Sequence, residues 1–116
     1  MNLIFFWIAI PLAIIAILQF TGAVGSVRRV HFVVRSNLLE VGSQSGDVRA
    51  LQTALNELGF YVGTADGIFG EMTEAGVKKF QEAHDLTVDG KAGLETFGQL
   101  NVELRKIGGS FTYAGV

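Results

Sequence analysis

Cysteine is absent from the 116-residue chain, which removes disulfides, thiolate zinc sites, iron–sulfur clusters and a cysteine nucleophile. Histidine is scarce. His31 and His84 lie far apart and form no His-Glu-x-x-His or comparable pattern, so neither a metal site nor a cofactor is expected. The Asp-Gly pairs lack the DxDxDG spacing of a calcium loop. Charge is missing altogether before Arg28, so the mean hydropathy of +0.40 averages two unlike parts. Beyond that point a basic excess is what is lacking. From Leu38 to Leu104 four bases stand against all eleven acids, a net −7. A domain of that sign repels phosphates and has no basic face for a nucleic-acid backbone, so nucleic acid is excluded as a partner.

The uncharged part contains Leu3–Leu18, sixteen residues without a polar side chain. A hydrocarbon core about 30 Å thick needs roughly 20 helical residues, and residues 3–24 suffice. Pro11 is tolerable in a bilayer helix, and Trp7 suits an interface. Thr21 and Ala23 are small enough for a leader-peptidase site, but no Lys or Arg precedes the apolar run as a secretory leader requires. Residues 1–27 are therefore expected to be a single transmembrane anchor, with the lipid bilayer as a partner. Arg28, Arg29 and Arg35 follow directly, in a basic juxtamembrane linker over 28–37. Basic flanks tend to stay cytoplasmic, which would hold the carboxyl side there.

The VRRVHFVV segment reads equally as a short strand or an extension of the anchor. Residues 38–104 fit one small domain. After a Gly-Ser loop, Asp47 stands where an N-cap belongs, and Val48, Leu51, Ala54, Leu55 and Leu58 stripe a helix over about 47–58 that stops at Gly59. A second helix follows the GTADGIFG loop, with Thr73 as cap and Gly76, Val77, Phe80 and Ala83 inward; Gly76 costs about 1 kcal/mol against Ala unless close approach requires it. A third runs from about Leu94 to Leu104, with Phe97, Leu100 and Leu104 inward. Residues 105–116 read as a flexible tail or a docking strand. Asp66-Gly67, Gly70, Thr73 and Val77 recur 23 positions later as Asp89-Gly90, Gly93, Thr96 and Leu100, one loop-then-helix unit used twice. In each copy the Asp can bond the turn backbone, the Gly can take positive φ, and the Thr can cap the next helix.

GDVRALQTALNELGFY, DGIFGEMTEAGVKKFQ and VDGKAGLETFGQL, in that order, resemble the peptidoglycan-binding domain family over about Leu38–Leu100. The resemblance rests on the Leu-Gln of helix one, the DG-x-FG-x-x-T loop, the Phe-Gln of helix two and the DG-x-x-G-x-x-T echo. Gly76 departs from the family's usual Ala. The resemblance implies an all-α, three-helix module with two Asp-Gly turns that binds peptidoglycan without catalysis.

A sugar-peptide polymer wants a shallow groove with aromatic faces, amides, hydroxyls and carboxylates. Tyr61, Asp66, Phe69, Thr73, Gln81 and Asp89 are the candidate ligand-binding residues. Each has a purely structural alternative: core for Phe69, turn formation for Asp66 and Asp89, capping for Thr73. No catalytic residue is assigned, although convergent acids such as Asp66, Glu71 and Asp89 would serve a muramidase at the right separation. The expected whole is a non-catalytic membrane protein that ties a membrane, such as a bacterial inner membrane, to murein. The alternative is a small structural protein of a larger assembly, an envelope machine or a lipid-containing phage virion, that uses the module to dock other membrane or capsid proteins or to contact the wall during entry.

Overall fold

The computed structural model describes residues 30–115. The expected anchor over residues 1–27 lies outside them; among the described residues no helix is long and apolar enough to cross a membrane. The elements run β1 (His31–Val34), β2 (Leu38–Leu39), α1 (Gly46–Glu57), α2 (Glu71–Ala83), β3 (Ala92–Gly93), α3 (Leu94–Arg105) and β4 (Ser110–Tyr113). The all-α expectation is thus corrected: three helices are present, but two small sheets complete the domain. β1 pairs in parallel with β4, His31 opposite Ser110 and Val34 opposite Tyr113. β2 pairs antiparallel with β3, Leu39 opposite Ala92.

β1 and β4 form in the segments expected as linker and tail, taking the strand alternative in each, because those segments bury apolar side chains that the three helices leave room for. Phe32 and Val34 alternate inward along β1, and Phe111 of β4 is buried. Phe111 stacks on Phe97 of α3 at 5.4 Å and on Phe32 at 6.0 Å between ring centroids. Its backbone N–H, on the strand edge away from β1, donates to Asn101 Oδ1 of α3 at 2.9 Å. The Ser110 and Ala114 N–H groups close the ladder on Val30 and Val34 carbonyls, each at 2.8 Å. A two-stranded sheet is marginal alone; this one is held by α3.

The helices bury the expected stripes, with local differences at their starts. Ser45, not Asp47, caps α1, its hydroxyl accepting from Val48 N at 3.3 Å. Asp47 instead turns back to accept from the Arg35 and Ser36 N–H groups at 3.0 and 2.8 Å, tying the strand region to the first helix. Ala83 is exposed, whereas Gln81 takes an inward place on α2. Gly76 does admit a close neighbour, but it is a loop and not a helix: a β-carbon there would collide with the Val62 side chain.

The core joins all three helices to Val34 and Phe111. Phe111→Ala is expected to cost about 3–5 kcal/mol, the range for emptying a buried aromatic site, and to release β4 from β1. Denaturant unfolding gives the first quantity. Loss of amide-exchange protection at Ser110 and Ala114, with helical protection retained, gives the second.

Candidate functional site

Both Asp-Gly turns are built around a buried glutamine. Gln52 sits on the inner face of α1, 1% exposed. Its Nε2 lies 3.1 Å from Asp66 Oδ1, 2.9 Å from the Ile68 carbonyl and 3.0 Å from Thr73 Oγ1, so three acceptors share two amide hydrogens. Its Oε1 accepts from Gly67 N at 2.8 Å. Gln81 on α2 repeats the arrangement: Nε2 to Asp89 Oδ1 at 3.0 Å, to the Lys91 carbonyl at 2.8 Å and to Thr96 Oγ1 at 3.1 Å. Its Oε1 accepts from Asp89 N and Gly90 N at 3.1 and 3.0 Å. Gly67 and Gly90 have φ of 81° and 76°, the left-handed region where glycine alone is unstrained.

The carboxylates complete each turn. Asp66 Oδ1 also accepts from Ile68 N, and Asp89 Oδ1 from Lys91 N, both at 2.9 Å. These backbone bonds, with the glutamine amides second, hold both carboxyls below their ordinary value of 3.8. At Asp47 burial pushes upward, but the Ser36 and Arg35 N–H groups prevail and the net shift is down. Glu103 is lowered chiefly by the Lys106 ammonium.

Beside the first turn opens a groove of about 330 Å³, lined by Gln52, Val62, Asp66, Ile68, Glu71, Met72 and Thr73 among others. The structure therefore brings two of the six predicted residues, Asp66 and Thr73, to this groove. Tyr61 is 74% exposed but off its lining. Phe69 is core, and Gln81 and Asp89 belong to the second turn. Neither Thr73 nor Thr96 caps its helix; each hydroxyl accepts from the glutamine, and Gly70 and Gly93 occupy the N-cap positions without a side-chain bond. Ile68 and Met72 carry no signal in the sequence, Glu71 stands out there only as one of the convergent acids, and Gln52 only as part of the Leu-Gln pair of helix one. For Gln52 a signal existed: Leu51-Gln52 and Phe80-Gln81 both set an amide beside a core residue ahead of an Asp-Gly turn. Among the described residues no group of three or more His, Asp or Glu side chains is arranged to hold a metal ion.

The family described as "Putative peptidoglycan binding domain" matches residues 44–100, both clamped turns included. The crystal structure of the SleB N-terminal domain is 39% identical, with a TM-score of 0.59, and the match covers 61% of this chain and 99% of that one. The chain belongs to the peptidoglycan-binding domain family. It is also 38% identical over 92 residues to a spore cortex-lytic enzyme of Bacillus cereus, covering 78% of this chain and 34% of that protein. An N-acetylmuramoyl-L-alanine amidase, CwlM, of Mycobacterium tuberculosis is 37% identical over 68 residues, 59% of this chain and 17% of the amidase. The chain thus spans about a third or less of these curated relatives, and its match to them is to the binding part.

Two tests follow from the clamps. Gln52→Glu replaces the shared donor with an acceptor facing Asp66, the Ile68 carbonyl and Thr73. It is expected to cost at least ~2 kcal/mol at neutral pH. Burial beside acceptors is expected to raise the introduced carboxyl's pKa on folding, so the loss should shrink as pH falls; chemical denaturation at two pH values reads both. In the native chain the sign is opposite. Carboxyls lowered in the folded state give stability that is present above their ordinary values and lost as pH falls through the folded ones. The melting temperature is expected to be flat from pH about 8 to 5 and to fall below about 4, less steeply in Asp47→Asn.

Proposed function

We propose that this protein is a non-catalytic peptidoglycan-binding module, held at a membrane through its apolar segment, that engages murein at the groove beside the first Asp-Gly turn. The observation that carries the binding reading is the coincidence of the family match over 44–100 with an open groove beside a rigidly clamped turn. The clamp fixes the groove before any ligand arrives, which reduces the ordering cost of binding. A small exposed groove of this kind supports a Kd on the order of 10–1000 μM per module, so many copies on one surface would act through avidity.

The turn carboxylates themselves are poorly suited to serve as the general acid of a glycosidase. Glycoside hydrolysis needs one carboxyl held protonated near neutrality. Asp66 and Asp89 are both shifted the other way. The membrane part rests on Leu3–Leu18 of the sequence, and the wall-facing orientation on the binding function itself. A second reading draws on Arg28, Arg29 and Arg35, which favour a cytoplasmic carboxyl side, where the domain would dock other proteins of an assembly.

The purified full chain is expected to sediment with isolated sacculi, to be displaced by soluble muropeptides and to release none itself. Sedimentation no greater than that of an acidic control of equal charge would overturn the binding reading in favour of the docking one. Released muropeptides would overturn the non-catalytic one.

A further inference from the structure

The two clamped turns share a hydrogen-bond skeleton but differ on their outer surfaces. Shifted by 23 positions, Ile68 and Met72 correspond to Lys91 and Glu95. The second turn is closed. Lys91 is drawn toward Glu40 at 3.6 Å, Glu95 accepts from Thr87 N at 3.4 Å, and the Glu74 and Lys78 side chains lie over Gly90. The first turn is covered over Gly67 by the Ser45 carbonyl and, farther out, by the Arg49 guanidinium, but it is open on the side of the groove. Ile68 and Met72 stay 51% and 57% exposed at the rim of the groove. Asp66 bonds the turn through Oδ1 while the residue stays exposed, and Glu71 shares the lining with it.

We infer that the first turn alone is the binding copy, and that its groove takes the amine-bearing aliphatic side chain of a stem-peptide diamino acid, not the face of a sugar. This rests on the peptidoglycan-binding function proposed above. A sugar ring is recognised by stacking its apolar face on an aromatic one, and the lining has no aromatic side chain. It has no cationic side chain either, so a ligand carboxylate finds no ion-pair partner there. What it offers is aliphatic wall from Ile68, Met72 and Val62, with two carboxylates alongside. A run of methylenes ending in an ammonium needs that combination, apolar surface along the stem and anionic oxygen at the head. Arg49, which adds to the field holding Asp66 charged, is not on the lining and leaves the groove acidic. In the second copy Asp89 is bonded through Oδ1 as Asp66 is, but the two rim positions carry a lysine drawn toward Glu40 and a glutamate held by Thr87 N, and Leu94 stands where the first copy has the second carboxylate, Glu71.

The full chain is titrated with three probes while backbone amide shifts are followed by NMR: a peptide-free glycan oligomer, a stem tripeptide ending in its diamino acid, and the same tripeptide acetylated on the side-chain amine. The free tripeptide is expected to move Ile68 and Met72, acetylation to weaken it by about tenfold or more, and the glycan to leave both residues still. Ile68→Lys combined with Met72→Glu should keep the melting temperature and lose the tripeptide; Lys91→Ile with Glu95→Met should keep both. Binding of the glycan at the groove, equal binding of the acetylated peptide, or an unaffected Ile68→Lys/Met72→Glu chain would overturn the inference. So would a chain that sediments with sacculi yet ignores all three probes, which leaves the binding function standing. A chain that does not sediment overturns that function first and the inference with it.

Discussion

The fold depends on one interaction used twice: a buried primary amide that satisfies a whole turn. Glutamine is suited to this because it is neutral, so its burial carries no ionic desolvation cost, and because one group supplies both donors and an acceptor. Gln52 and Gln81 each reach a turn glycine N–H, a turn carbonyl, an aspartate and a threonine. A carboxylate could not donate, an ammonium could not accept, and an aliphatic residue would strand all four partners. The amides also fix where the chain goes next. Beyond the first turn Phe69 enters the core and exchanges backbone bonds with Gly42 and Ser43; beyond the second, Ala92 enters it and pairs with Leu39.

This arrangement gives up local capping for tertiary order. α2 and α3 both begin at an extended glycine with no side-chain bond to the first turn. A Ser or Asp at that position is ordinarily worth about 1 kcal/mol. Thr73 and Thr96, three residues on, could not cap from inside the helix, and their hydroxyls serve the clamp. Several buried hydrogen bonds replace one exposed cap, and the helix start becomes rigid through the neighbouring helix. That is a reasonable exchange for a surface meant to keep its shape, because a clamped loop has less freedom to lose on binding.

The sequence was most legible where periodicity and turn chemistry act within a few residues. The α1 stripe from Val48 to Leu55, the inward Phe97, Leu100 and Leu104 of α3, and the positive φ at Gly67 and Gly90 all follow from local rules. What was not legible depends on partners far along the chain. β1 and β4 pair across 79 positions, and nothing within either segment announces the other. The tail reads equally as a flexible end or a docking strand; Phe111 decides for the strand by finding Phe97 and Phe32. Asp47 has the right chemistry for a cap, but Ser45 is better placed once the loop is folded, and the carboxylate is taken by Arg35 and Ser36. Thr73 and Gln81 were legible as important polar residues but not as parts of clamps, since a helical polar residue on a buried face needs an acceptor that only the fold supplies.

The repeat separates the demands of folding from those of recognition. The side chains that make the clamp come from Gln, Asp and Thr around a turn Gly, the same types in both copies, while Ile68 and Lys91 contribute only backbone atoms. The side chains that face outward, Ile68 and Met72 against Lys91 and Glu95, share no chemistry. A surface position whose side chain makes no clamp bond can change polarity at little cost to stability, because exposed substitutions away from caps, cores and buried networks usually act within about 0.5 kcal/mol. Drift of the rims is therefore cheap and drift of the clamps is not. The constraint also explains why a domain so short of core volume can carry an open groove: the clamps, not further burial, keep the rim residues from collapsing into it.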